Sequence, residues 1–248
     1  MTGQYLPDEI ALQAINLMKE AASQTVAKIQ RRFFKESKNI EILGLRTAQI
    51  RSIDAEIFKL VKDHWGIPKV IDLSETLLMN RYLEAKLLST IFMQHYKEKF
   101  GIDFIKIAYR WLLNNYCDNW AVVDSLCTQI IPVIMERFSE IIPAISNWSV
   151  SRNMWVRRAS VVSFVKHARK GKEIETVHSI AKTLFSDKND LIQKALGWLL
   201  RESGKTDMKR LRGFLIEHGK RIPRTTVRYA IEKFPENERK ELLEVTRG

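Results

Sequence analysis

Along almost the whole chain, apolar residues recur at spacings of three and four, and strict alternation is rare. No hairpin signal such as Asn-Gly breaks the pattern. The periodicity predicts helix from end to end. Interruptions fall near Pro7, Gly44, Gly66-Ile67-Pro68, Gly101, Asp118-Asn119 and Pro143. They continue at Ser151-Arg152, Gly171, Asp187-Lys188-Asn189, Ser203-Gly204, Gly219 to Pro223, and Pro235. The segments between them are mostly about 12 to 20 residues long, with helix starts expected at Asp72 to Glu75, Asn119, Asp187 to Asp190 and Pro223.

Short helices joined by short turns predict an all-α chain of stacked antiparallel hairpins, about 35 to 40 residues per pair. A compact all-α bundle is the alternative, because no fixed period of identities repeats. No composition shift or linker marks a boundary, so residues 1–248 are expected to form one array. A curved stack would present one concave surface lined by alternate helices, a place for inward-facing charges.

Composition narrows the class. Hydrophobic residues make up 45% of the 248, enough for a substantial core. Residues Met1 to Ile10 lack a basic start and an apolar run, and no segment approaches the roughly 18 apolar residues that span a bilayer. Cys117 and Cys127 sit in neither a metal spacing nor a disulfide framework. The expectation is a soluble, cytoplasmic monomer that needs no metal or other cofactor.

Charge changes the picture once it is located. Residues 1–150 carry 18 Lys/Arg against 17 Asp/Glu; residues 151–248 carry 23 against 12. No acid lies between Glu140 and Glu173, while Arg152, Arg157, Arg158, Lys166, Arg169, Lys170 and Lys172 do. Ordinary solvated helices mix both signs, so this asymmetry points to a polyanion, most simply nucleic acid.

Candidate chemistry is sparse. At about 100° per residue, Trp120, Asp124, Cys127 and Ile131 share one helical stripe, so a carboxylate sits on an inward face. It is either satisfied by buried partners or open to a cleft where its charge is used. Arg158 lies at the centre of an apolar arc of Met154, Val161, Val162 and Val165 on a helix expected over about 153–168. It needs an acidic partner, Asp124 among the candidates, or it meets a phosphate. Lys194, Trp198 and Arg201 place a tryptophan between cations on one face, either as core with snorkelling cations or as a nucleic-acid contact. Arg224 and Arg228 are one turn apart at a helix start and suit a backbone phosphate or open solvent. The five His residues are scattered without ligand spacing, and no phosphate loop or nucleophile elbow is present.

Four runs carry a resemblance. They are Asn119-Trp120-Ala121-Val122-Val123-Asp124-Ser125, Asn153-Met154-Trp155-Val156-Arg157-Arg158-Ala159, Lys194 to Glu202 (KALGWLLRE), and Arg224 to Lys233 (RTTVRYAIEK). In order and spacing the chain resembles the DNA alkylation repair family of AlkD-like, HEAT-repeat DNA glycosylases over about residues 100–235. Earlier, only Gly44 to Arg51 is placed. The resemblance implies a right-handed superhelix of HEAT-like helix pairs, an α-solenoid whose concave basic groove holds double-stranded DNA. It implies hydrolysis of the N-glycosidic bond of N3- and N7-alkylated purines such as 3-methyladenine and 7-methylguanine. Asp124 would be the catalytic carboxylate, Trp120 and Trp198 would contact deoxyribose, and Arg158 the backbone near the lesion. One position departs: Ala121 stands where relatives often carry Asp.

Overall fold

The computed structural model describes residues 5–35, 37 and 39–247, and among them no β-strand forms. A lone bridge between Glu41 and Tyr82 is the one extended pairing. The chain falls into two compact units that divide after Ile134.

The first unit contains α1 (Pro7–Glu20), α2 (Gln24–Arg31), α3 (Thr47–Val61), α4 (Ile67–Met79), α5 (Leu83–Phe92), α6 (Phe104–Leu113) and α7 (Trp120–Gln129). The division falls within α8 (Ile131–Arg137). The second unit continues with α9 (Ile142–Asn147), α10 (Met154–Val162), α11 (Val165–Arg169) and α12 (Ile174–Leu184). It ends with α13 (Asp190–Ser203), α14 (Met208–His218), α15 (Arg224–Ala230) and α16 (Glu236–Val245). Within each unit the helices pack mainly on others one to three places away in the chain, consistent with an α-solenoid.

Several starts have a side-chain reason. Asn119 accepts from Val122 N at 3.0 Å, Asn153 from Trp155 N at 2.8 Å and Asn189 from Leu191 N at 2.9 Å. Pro7, Pro68 and Pro143 occupy first-turn positions, where a missing N–H costs nothing.

Three expectations are corrected. Asp72 to Glu75 is no helix start but lies inside α4, where Glu75 accepts from the Trp111 indole at 2.8 Å. The apolar run after Asn119 is cut at Ile130, because Pro132 has no N–H to continue the ladder. The helix expected over 153–168 is two, α10 and α11, parted where Phe164 N turns to the i−3 carbonyl of Val161 at 3.3 Å. Several helices are therefore shorter than predicted.

Each unit is organised around one central helix. In the first it is α5, buried at every position but Leu87 and packed against α3, α4 and α7. Because its polar residues are buried, they require internal partners. Glu84, 1% exposed, accepts from the N–H groups of Leu43, Gly44 and Leu45 at 3.0, 2.7 and 3.2 Å. That fixes the turn at Gly44, whose φ of +88° and backbone contact with Ser23 exclude a side chain. The nearby Cys117 thiol is fully buried, which pushes it up to about 12, and Cys127 is buried as well.

In the second unit α13 is central, packed against α10, α11, α12 and α15. Gln193, 4% exposed, donates to Leu184 O at 2.9 Å and Asp187 O at 2.8 Å, and its amide oxygen accepts from Thr226 Oγ1 at 2.6 Å. One side chain thus joins the end of α12, the following turn and α15.

Gly197 lets α13 and α15 approach. A Cβ there would lie 2.4 Å from Tyr229 Cβ and 2.7 Å from Thr226 O. Helix propensity alone favours Gly197→Ala by about 1 kcal/mol. Overpacking against backbone costs about 1–3 kcal/mol and should win. The variant is expected to unfold at lower urea than wild type; an equal or higher midpoint would show that the two helices have room to move apart.

Candidate functional site

The first unit's candidate site is built on the start of α7. Lys86, 4% exposed, points its ammonium at Leu78 O (2.7 Å), Tyr116 O (2.8 Å) and Asp118 Oδ1 (3.2 Å). All three N–H donors are occupied, as a buried ammonium requires. The turn leading into α7 is thereby held, and Ser37 Oγ adds a bond to Asp118 O at 3.1 Å. Asn119, fully buried, then caps the helix.

Trp120 follows at the first helical position. Its indole Nε1 donates to Phe33 O at 3.1 Å, and its ring stacks on Phe34 with centroids 5.2 Å apart and planes 6° from parallel. Arg31 fixes the segment that presents these groups, donating to the carbonyls of Ser37 (3.2 Å) and Ile40. Phe33 itself is 67% exposed. One turn on, Asp124 is half-buried, while Cys127 and Ile131 further along the stripe are fully buried. The carboxylate therefore stands where the stripe leaves the core. Its main-chain carbonyl accepts from Thr128 Oγ1 at 2.7 Å.

A second inward carboxylate differs in kind. Asp54 is 5% exposed and meets His95 Nε2 at 2.7 Å. Burial pushes its carboxyl above the ordinary range, partly countered by His95. Asp54 is enclosed; Asp124 is not.

The second unit holds the remaining predicted residues. Arg158 is 6% exposed, and its Nη1 donates to Leu191 O in the first turn of α13 at 2.5 Å. Arg157 is held by Asp187 at 2.6 Å and by the carbonyls of Ser151 and Arg152, both at 2.9 Å. It braces the turn before α10. On α13, Trp198 is half-buried between Lys194 and Arg201. Lys194 pairs with Asp190 at 2.7 Å, and Arg201 pairs with Glu232. Arg224 turns away to the end of α16, donating to Leu243 O at 2.7 Å, while Arg228 is exposed. Trp120 and Asp124 thus share α7. Arg158 is brought to α13, which carries Lys194, Trp198 and Arg201.

Sequence reasoning missed Phe33, Phe34, Glu84 and Lys86. The run Arg31-Arg32-Phe33-Phe34-Lys35 interleaves cations with aromatics and was a usable signal. For Glu84 and Lys86 the signal was charge inside a run apolar on every face. Among the described residues no group of three or more His, Cys, Asp or Glu converges, and no helix is long and apolar enough to cross a membrane.

The described chain is thus all-helical, with a half-buried Asp124 one turn from an aromatic-backed tryptophan and a basic second half. The family model of the DNA alkylation repair enzymes matches residues 14–234, well beyond the stretch the motifs marked. The chain belongs to that family. No curated protein shows significant sequence similarity to it. Among solved structures, a predicted DNA alkylation repair enzyme from Enterococcus faecalis is similar in fold. That match has a TM-score of 0.76 and 14% identity, covering 87% of this chain and 97% of the other.

The electrostatics beside Trp198 offer a test. Glu202, at the end of the same helix and 2% exposed, meets Lys205 and Arg169, each at 2.7 Å. Burial alone would raise its carboxyl, but the two cations outweigh it and hold the group below its ordinary value of 4.5. A depressed carboxylate contributes stability that is present above the unfolded value and lost as pH falls through the folded one. Glu202→Gln should cost about 2 kcal/mol at neutral pH. The gap between wild type and variant in urea midpoint should then shrink as pH falls below about 4.5. A gap that stays constant down to pH 3 would refute the assignment.

Proposed function

We propose that this protein is a monofunctional DNA glycosylase that hydrolyses the N-glycosidic bond of N3- and N7-alkylated purines in duplex DNA. The observation that carries the proposal is Asp124. It is a half-open carboxylate one turn from Trp120, in a family of alkylation repair enzymes.

An N3- or N7-alkylated purine already bears positive charge. When the C1′–N9 bond breaks, its electron pair neutralises the departing base, so no general acid is needed. What remains is an oxocarbenium-like sugar. A carboxylate on the face opposite the base stabilises that charge, orients a water toward C1′ and accepts the proton the water loses. Trp120 offers its ring to the cationic sugar. Phe34 stacking and the Phe33 carbonyl hold the indole in place, so little conformational freedom is lost on binding.

In the second unit, Trp198 is the aromatic contact to DNA and Arg158 the contact near the lesion. Lys194, Arg201 and Arg228 meet backbone phosphates. Asp190 and Lys194 are both about half exposed, and exposed ion pairs are worth only about 0–1 kcal/mol, so Lys194 exchanges this partner readily; Arg201, 20% exposed and also 3.7 Å from the buried Glu202, is held more firmly and offers its outer edge.

Release of free 7-methylguanine from methylated duplex DNA is the direct assay. Asp124→Asn should slow it by about 10²- to 10⁴-fold while leaving affinity for undamaged duplex nearly unchanged. Wild-type rates in Asp124→Asn would remove Asp124 from the chemistry. Salt-sensitive DNA binding by wild type with no base release would instead establish a non-catalytic helical-repeat binding protein.

Replacing Trp120 with Ala should lower the single-turnover rate by about 2- to 30-fold, the worth of one cation–π contact. Replacing it with Phe should retain part of the rate, and a Phe variant no better than Ala would argue against a ring–cation contact.

A further inference from the structure

The second unit pairs many of its cations internally. Arg157 with Asp187, Arg169 and Lys205 with Glu202, Lys170 with Glu136, Arg210 with Glu175 and Arg212 with Glu241 all form ion pairs. Among the cations outside these pairs, four lie together. Lys220, Arg221, Arg224 and Arg247 line a single open cleft of about 440 Å³, and no carboxylate is among its described lining residues. None of the four forms an ion pair with a described carboxylate.

The cleft is held by rigid parts. Lys220 and Arg221 lie in the 3-10 turn Gly219–Arg221, and a Cβ on Gly219 would come within 2.9 Å of Thr246 Cα. That approach seats the turn directly on the end of α16. Arg224 is fixed by its bond to Leu243 O, and Thr246, 1% exposed, anchors to Leu242 O at 2.6 Å. Lys220, Arg221 and Arg247 remain exposed. Four like charges gathered with no described carboxylate beside them repel one another, so an anion bound among them relieves that repulsion.

We infer that this cleft is a phosphate-gripping site that takes a phosphodiester of the DNA backbone, outside the residues assigned to the lesion. Guanidinium groups match phosphate oxygens through paired hydrogen bonds, and the exposed Arg221 and Arg247 have theirs available. Only Ile222 and Pro223 are apolar in the lining, and no aromatic ring offers a platform for a base. A nucleotide or other small phosphorylated metabolite would therefore find charge but no enclosure. A polymer, which brings many phosphates at once, suits an open cationic cleft. The grip would be independent of sequence and lesion, adding affinity through counterion release. It rests on the DNA-repair reading of the family, and not on the chemistry assigned to Asp124.

The test uses the full chain with Lys220, Arg221 and Arg247 all changed to Gln; Arg224 is retained because it caps α16. All three sites are exposed, so the melting temperature should match wild type. Affinity for an undamaged duplex is measured from about 50 to 300 mM salt, where each lost phosphate contact lowers the slope of log K against log salt by about 0.9. The expected result is a slope shallower by about 1 to 2. A slope equal to wild type overturns the proposal.

Inorganic phosphate at constant ionic strength separates the sources. If it raises the melting temperature of wild type but not of the variant, and the DNA slopes agree, the cleft serves a free anion and the proposal fails. The two readings also fail separately. Wild type that releases 7-methylguanine with no slope difference sinks the cleft alone. Absent base release with a shallower variant slope sinks the glycosylase reading alone.

Discussion

A buried ammonium tolerates no vacancy, and Lys86 shapes the first unit through that demand. Its three donors are met by the last turn of α4, the turn after α6 and the acid before α7. Removing any of these acceptors would leave a charged donor dry, at a cost of several kcal/mol. The geometry at Trp120 and Asp124 therefore follows from a residue that touches neither. Glu84, two positions earlier on the same helix, makes a similar demand on the turn at Gly44. The second unit uses a neutral counterpart, with Gln193 binding the end of α12, the following turn and α15 through one amide. In both units a central helix carries buried polar groups that order its neighbours.

The class of the fold was legible because helical periodicity survives on nearly every segment, and capping residues such as Asn119 and Asn189 mark starts by local chemistry. What escaped was context. Pro132 reads as one more residue in an apolar run until its missing N–H is placed in a ladder. Asp72 and Glu75 look like a helix start until Glu75 is seen serving Trp111. Of the candidate site, the shared stripe of Trp120 and Asp124 followed from spacing alone. The support behind Trp120 did not, since Phe33 lies 87 residues away in sequence. Side-chain pairing was equally hidden. Nothing in the run Met154-Trp155-Val156-Arg157-Arg158 says that the first arginine braces a turn through Asp187 while the second reaches Leu191.

Net charge is a poor guide until pairing is known. The +12 of the chain is concentrated in its second half, yet several of those cations meet an acid within 4 Å. Exposed pairs can be exchanged for phosphate at little cost, enclosed ones cannot, and an unpaired cluster attracts an anion with no partner to displace. Sorting the cations this way separates framework from surface more sharply than counting them. It also removes Arg157, prominent in the sequence, from the exchangeable set.

The two cysteines bear on survival in the protein's own working conditions. Methylating agents attack nucleophiles indiscriminately, and in proteins the thiolate is the most vulnerable. Cys117 is sealed in apolar surroundings with its ionisation pushed to about 12, so at neutral pH it is a thiol almost without exception. Cys127 is equally shut away from reagent. A chain of the alkylation repair family thus offers electrophiles no accessible sulfur nucleophile among its cysteines.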